Sequence, residues 1–429
     1  MKFRNFLAAA ILFALMINIS LSAKENLVLN AAKKELKRTM NELASDTLPP
    51  YFIAYGITDE HTYQVTAGFG NVQMEQNGHE RTLDIDLRVG DYRFDNTHII
   101  RGNPFNFSMV RRSAKLPVEN DEKAIRNMIW STTDEVYKAA VEKYEKALTN
   151  RAVKVAQEDT SADLSREESV QYIGDPADFN LDKKKWKDFV RSLSAEFEKH
   201  QWLFEGDVIF MYKTVTKYLI NSEGTELRWP ETFARIYISA KTKSDDGMSL
   251  PLYKSYFAFE PDGLPTAAVI KEDIRETVDL LDRLRKAPLL KKTYSGPAIL
   301  SGRASGVFFH EIFGHRIEGH REKNPNSGQT FKHSVDEEVL PDFMDVYMDP
   351  TKKELAGVDL SGYYPFDDEG IPSQRVVVVE DGIFKNFLMS RSPIEDFPNS
   401  NGHGRREPGY PAVTRQSNLI VHSDETVPV

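Results

Sequence analysis

No cysteine occurs anywhere in the 429 residues. That absence excludes disulfides, so the fold must rest on its apolar cores, and it removes every thiolate metal ligand. Long apolar runs are also missing beyond the first residues, so no membrane span is expected after them. There is no internal repeat or low-complexity tract. The glycine turn Gly302-Arg303-Ala304-Ser305-Gly306 lacks the Lys-Ser/Thr that would close a phosphate loop. No Ser-His-Asp or Cys-His arrangement stands out. Strong basic charge is absent too: the net charge is −10. The best basic cluster, Lys183-Lys184-Lys185-Trp186-Lys187, reads as the solvated face of a helix, and no nucleic-acid partner is expected.

What is present is an ordinary folded composition, 40% hydrophobic and 28% charged. The length suits two domains. Residues 1–23 read as a secretory signal peptide: Lys2 and Arg4 precede an apolar run from Phe6 to Ile17, and Ser20 and Ser22 are placed for cleavage. An uncleaved anchor is the alternative. The mature chain is expected to be exported, in a periplasm-like compartment.

The expected fold class is α+β in two domains. The first, residues 24–287, combines helices with antiparallel strands and a helical insertion. The second, residues 288–429, is a mostly antiparallel sheet carrying a short helix. Apolar spacing predicts helices over Asn26 to Leu43, Glu122 to Leu148, Leu181 to His200 and Ile270 to Leu284. Strands are expected at Tyr51 to Tyr55, Tyr63 to Phe69 and Thr82 to Val89, with Asn77-Gly78 as a hairpin turn. More follow at Val208 to Tyr212, Lys217 to Ile220, Leu227 to Trp229 and Phe233 to Ala240, with Asn221-Ser222-Glu223-Gly224 as a turn. Pro297 to Leu300 reads as a short strand, and Ser305 as a helix cap. The stretch from His320 to Gln374 is loosely patterned, a candidate cleft wall. Asp381-Gly382 marks a hairpin between two apolar strands.

The chemistry concentrates in His310-Glu311-Ile312-Phe313-Gly314-His315. Two imidazoles and a carboxylate within six residues can hold zinc and activate water. The usual zinc-peptidase spacing is four, so both rings face one way. Here it is five, which on a regular helix separates the rings by about 140°. A π-bulge near Gly314 would restore a common face.

The surroundings are informative. Gly296-Pro297-Ala298-Ile299-Leu300-Ser301-Gly302 leads into the motif, and Phe366-Asp367-Asp368-Glu369-Gly370-Ile371-Pro372, Glu380-Asp381-Gly382 and Asn401-Gly402-His403-Gly404-Arg405 follow. This ordered series, with Asn221-Ser222-Glu223-Gly224 upstream, resembles the TldD/PmbA family of metallopeptidases, in its TldD-like branch. The resemblance implies Zn2+ held by His310 and His315, Glu311 as general base, and an unfolded or small peptide as substrate. It also implies oligomerisation, with a homologous PmbA-like subunit as partner. In the TldD-like pattern a distal cysteine completes the zinc site; a chain without one is expected to be truncated at its C-terminus or to use another ligand. His320 and His403 are the candidate third ligands. Each has a plainer alternative, a surface histidine and a loop histidine between glycines. Glu318, Asp367, Asp368 and Glu369 are candidates to orient the histidines, though the Asp-Asp-Glu-Gly run is equally a turn whose carboxylates satisfy backbone donors. A non-catalytic exported scaffold subunit is the competing reading.

Overall fold

The computed structural model describes residues 27–99, 113–153, 160–324 and 328–428. The signal-peptide reading falls outside them. Among the described residues no helix is long and apolar enough to cross a membrane.

Two antiparallel strands of 19 residues each, β1 (Pro50–Gly68) and β2 (Asn71–Val89), run the length of the main sheet. The sequence splits β1 in two because Thr58 to Thr62 is polar, yet the chain pairs continuously there on both sides. Asn77-Gly78 is therefore not a turn; those residues pair with Tyr63 and Thr62. The reversal falls at Phe69-Gly70, both with positive φ (47° and 74°), the geometry of a tight two-residue hairpin. Beyond β3 (Ser113–Leu116) and the short β4 (Gln171–Ile173), three more long strands complete the sheet: β5 (Glu205–Asn221), β6 (Glu226–Lys243) and β7 (Ser249–Ala258). The order is β3-β2-β1-β5-β6, with β4 and β7 both on the outer edge of β6. Pro230 lies within β6 without breaking it. It falls in the gap between the residues that β4 pairs, up to Arg228, and those that β7 pairs, from Ala234. A residue lacking N–H is tolerated at such an unpaired edge.

Odd-numbered residues of β1 face the helices, as strand alternation dictates. At one end, Ile53, Tyr55 and Ile57 pack with Leu83, Ile85 and Leu87 under helices α1 (Leu27–Leu43) and α2 (Glu122–Val153). At the other, Tyr63, Val65 and Ala67 pack under α3 (Lys183–Ser194) and α4 (Ala267–Lys286), with Trp186 stacked on Phe210 at 4.2 Å. The even-numbered face, around Phe52, Ala54 and Gly56, receives the C-terminal third of the chain.

That third is built around β8 (Met344–Met348), which the loose pattern of its surroundings hides. Two-residue strands β9 (Glu354–Leu355) and β10 (Val358–Asp359) follow. β11 (Val376–Glu380) and β12 (Ile383–Phe384) form the hairpin at Asp381-Gly382, where both residues have positive φ. After the pair β13 (Gly404–Arg405) and β14 (Val413–Thr414), β15 (Leu419–Ser423) closes a four-stranded sheet of order β12-β11-β8-β15. Its core is Ile317, Val346, Met348, Val378, Phe384 and Leu388. The architecture is α+β: a large antiparallel sheet with helices, and a smaller antiparallel sheet preceded by the helix bearing the His-Glu motif.

Two charged joints connect the parts. Arg391, 1% exposed, places two nitrogens on Glu223 (2.8 and 3.0 Å) and one on the Ser165 carbonyl. Asp368 accepts from Lys217 at 2.7 Å and from Arg405 at 3.0 Å. Those cations hold its carboxyl far below the usual carboxylate range despite burial. Gly56 makes a third joint possible. A Cβ there would lie 1.5 Å from Nη2 of Arg406, whose guanidinium lies over β1 beside Asp84.

Candidate metal centre

Helix α5 (Arg303–Ile312) starts after Gly302, whose φ of 53° suits glycine, and it has no side-chain cap. Ser305 instead donates its hydroxyl to the Gly302 carbonyl at 2.8 Å, within the first turn. Pro297 to Leu300 forms no strand: Ile299 is 87% exposed and has no strand neighbour to pair with. No residue of α5 is buried, and Val307, Phe308 and Ile312 are all exposed.

No π-bulge brings the histidines together. The α-helix ends at Ile312, Phe313 turns with φ −117° and ψ −59°, and a tighter 3₁₀ turn runs from Gly314 to Ile317. His310 lies in the last turn of one piece and His315 in the turn that follows, which leaves the ring centroids 4.5 Å apart. Nitrogens of both rings and a carboxylate oxygen of Glu311 lie within 4.8 Å of one another. Gly314 has ordinary φ; its role is clearance, since a Cβ would sit 1.9 Å from the Gln416 amide. Gln416 in turn approaches the His310 carbonyl at 3.4 Å.

His315 is oriented from behind. Its Nδ1 donates to Glu318 at 3.0 Å, which leaves Nε2 to face the cluster. Glu318 is fully buried and also accepts from Arg321 at 2.8 Å, with Arg415 at 3.5 Å. The backbone around Glu318 is fixed too, because Gly319 donates to the Leu388 carbonyl and Leu388 donates to that of Ile317. Such a carboxylate–histidine pair sets tautomer and ring angle in metal sites. Arg415 and Gln416 carry no sequence pattern that marks them; only the fold brings them here.

The other candidates lie elsewhere. His403 is buried, with Nδ1 on Asn401 and Nε2 on Ser417 (3.2 Å), so both ring nitrogens are engaged. His320 is not a surface residue: it is largely enclosed, its Nδ1 has no partner, and burial lowers its pKa to about 4. Among the described residues neither joins the cluster of His310, Glu311 and His315. Asp367 accepts from the backbone of Glu369, Ile371 and Gly404 and so is a turn residue. Burial and the neighbouring Glu369 push its carboxyl upward. Asp368 belongs to the joint with Lys217, not to the histidines. Glu369 accepts from the Arg391 backbone N–H.

Further along the chain, Glu322 is buried with neither oxygen partnered, and desolvation raises its pKa to about 7 from 4.5. A carboxyl whose folded pKa lies above the unfolded one stabilises the fold below the unfolded value. That contribution is lost as pH rises through 7. Glu322→Gln should therefore stabilise the protein at pH 8 by about 1–2 kcal/mol after allowance for solvent screening, and hardly at all at pH 4. Urea titrations at the two pH values check this. An equal gain at both would remove titration as the cause.

Residues 292–428 match the PmbA/TldA metallopeptidase C-terminal domain. The C-terminal third of the chain thus matches the TldD/PmbA family. A metalloprotease of Archaeoglobus fulgidus is 30% identical over 152 residues, 35% of this chain and 34% of that protein. A metalloprotease TldD homolog of Haemophilus influenzae is 28% identical over 145 residues, 32% of this chain and 29% of that one. The matched stretch thus spans about a third of the length of these curated relatives. The fold extends further. TldE from Thermococcus kodakarensis superposes with a TM-score of 0.53 over 92% of this chain and 78% of that one, at 11% identity. The family is one of metallopeptidases, which gives the His-Glu cluster its context.

Proposed function

We propose that this chain is a zinc-dependent peptidase that hydrolyses unfolded or small peptides. The observation that carries the reading is the convergence of His310, Glu311 and His315 across the break at Phe313. The donor set suits zinc: two imidazoles, one oriented by a buried carboxylate, beside a second carboxylate. Bound zinc would supply Lewis acidity, polarising the scissile carbonyl and making water nucleophilic near neutral pH. His310 and His315 would hold the ion through ring nitrogens. Glu311 accepts the proton from water and returns it to the leaving amine. Glu318 keeps His315 in its working tautomer.

The open site calls for cover. The Glu311 side chain is 62% exposed, and apolar residues including Leu289, Leu290, Ile299, Val307 and Phe308 are exposed along residues 289–308. So many exposed apolar side chains in one segment suit a second subunit. We therefore include oligomerisation, with a homologous PmbA-like chain, in the reading. A cleft enclosed between subunits would admit extended peptides and exclude folded proteins. We also include export, on the strength of the pattern in residues 1–23.

A second reading, a scaffold subunit without catalysis, is favoured by one observation: no third histidine joins the cluster among the described residues. One experiment separates them. Dialysis against a chelator should abolish hydrolysis of an unstructured peptide, and zinc added back should restore it. No hydrolysis with or without added zinc would leave the scaffold, and hydrolysis indifferent to chelation would overturn the zinc mechanism.

A further inference from the structure

A second group of metal donors lies on the main sheet, among residues that the peptidase reading does not use. Asp59 and His61 are two apart on β1 and so share a face. His79 on β2 lies directly opposite His61, and Arg81 opposite Asp59. This is the helix-covered face, between the Ile57 layer under α1 and α2 and the Tyr63 layer under α3 and α4. A polar belt thus divides two apolar cores.

The belt has donors to spare. His61 and His79 stack with centroids 3.7 Å apart, and Phe179 closes over His61 at 5.7 Å. His79 Nε2 is 2.8 Å from Oδ1 of Asp59, while Arg81 occupies the other oxygen, Oδ2, and so fixes the carboxylate. His61 makes no side-chain hydrogen bond among the described residues. On its other side, across β5, stands Thr214, which is fully buried with an unpartnered hydroxyl.

We propose that Asp59, His61 and His79 form a metal site for a divalent ion of the zinc class, distinct from the His310 cluster. The donor atoms lie within 4.8 Å of one another. A tetrahedral ion with ligands at about 2.0–2.1 Å needs them about 3.3 Å apart, so the donors would close in and the two stacked rings would turn until their nitrogens converge. Two imidazoles and one carboxylate select borderline ions over calcium or magnesium. Placed across adjacent strands between two cores, the ion would act as a cross-strand clasp. Thr214 offers a hydroxyl to any water completing the coordination. The site is independent of whether the chain is a peptidase.

The test uses the full chain carrying His310→Ala and His315→Ala, stripped with chelator and titrated with Co2+. About one equivalent should bind, with the visible d–d absorption of a low-symmetry site, and should raise the thermal midpoint. Adding His61→Asn or, separately, His79→Gln should weaken binding by at least about tenfold with the far-ultraviolet dichroism unchanged. The glutamine can keep a hydrogen bond to Asp59, so loss there reads metal binding and not folding. Absence of Co2+ binding in the His310/His315 variant, or binding that survives both further substitutions, would overturn the site.

Discussion

Replacing Glu311 with glutamine is expected to reduce peptide hydrolysis by about 10²–10⁴-fold, the range for removing a general base. The substitution keeps the shape of the side chain and removes its capacity to accept a proton. His310 and His315 are untouched, and His315 remains held by Glu318 at 3.0 Å. Zinc content should therefore stay near that of the unsubstituted chain while turnover falls. Measuring both on one preparation matters, because Glu311 lies close enough to both rings to serve as a ligand instead. Zinc lost together with activity would reassign Glu311 to the metal. Full activity in the variant would end the assignment of Glu311 as general base.

The second large effect concerns stability. Arg391→Met should cost about 3–5 kcal/mol, the range for breaking a buried ion pair from one side. The arginine is 1% exposed and binds Glu223 through two nitrogens, so truncation leaves that carboxylate without its cation. Glu369, whose oxygen accepts from the Arg391 backbone, loses the nearby positive charge as well. Chemical denaturation of Arg391→Met, Glu223→Gln and the double variant checks the claim. If the pair is coupled, the double variant is less destabilised than the sum of the singles. Strict additivity would show that the arginine acts through its other contacts, the Ser165 carbonyl and the Phe52 ring 5.0 Å from its guanidinium.

Local pattern was legible where one physical cause dominated. The helices over Leu27–Leu43 and Ala267–Lys286 follow their apolar spacing, and the Asp381-Gly382 hairpin follows its turn chemistry. Legibility failed where distant residues decide. Thr58 to Thr62 look like a loop because they are polar, and it is their backbone pairing with β2 and β5 that makes them strand. β7 carries Pro251, and β8 is a five-residue strand inside an irregular stretch. Within the metal motif the residue types could be read directly, but the means of convergence could not. The expected bulge is a helix end at Phe313, and the neighbours that position the turn, Gln416 and Arg415, come from about a hundred residues further on. The Asn221–Gly224 turn was visible as a turn; that Glu223 receives Arg391 was not.

Glycine at position 56 has a consequence for how the two halves of the molecule fit. The arginine at 406 lies flat on the strand because there is no methyl group beneath it. Its neighbour Gly409 then donates to Asp84, directly across the ladder from Gly56. The late part of the polypeptide is thus seated by missing atoms as much as by attraction. Alanine at that point would push the flexible end of the arginine aside and away from its place beside Asp84.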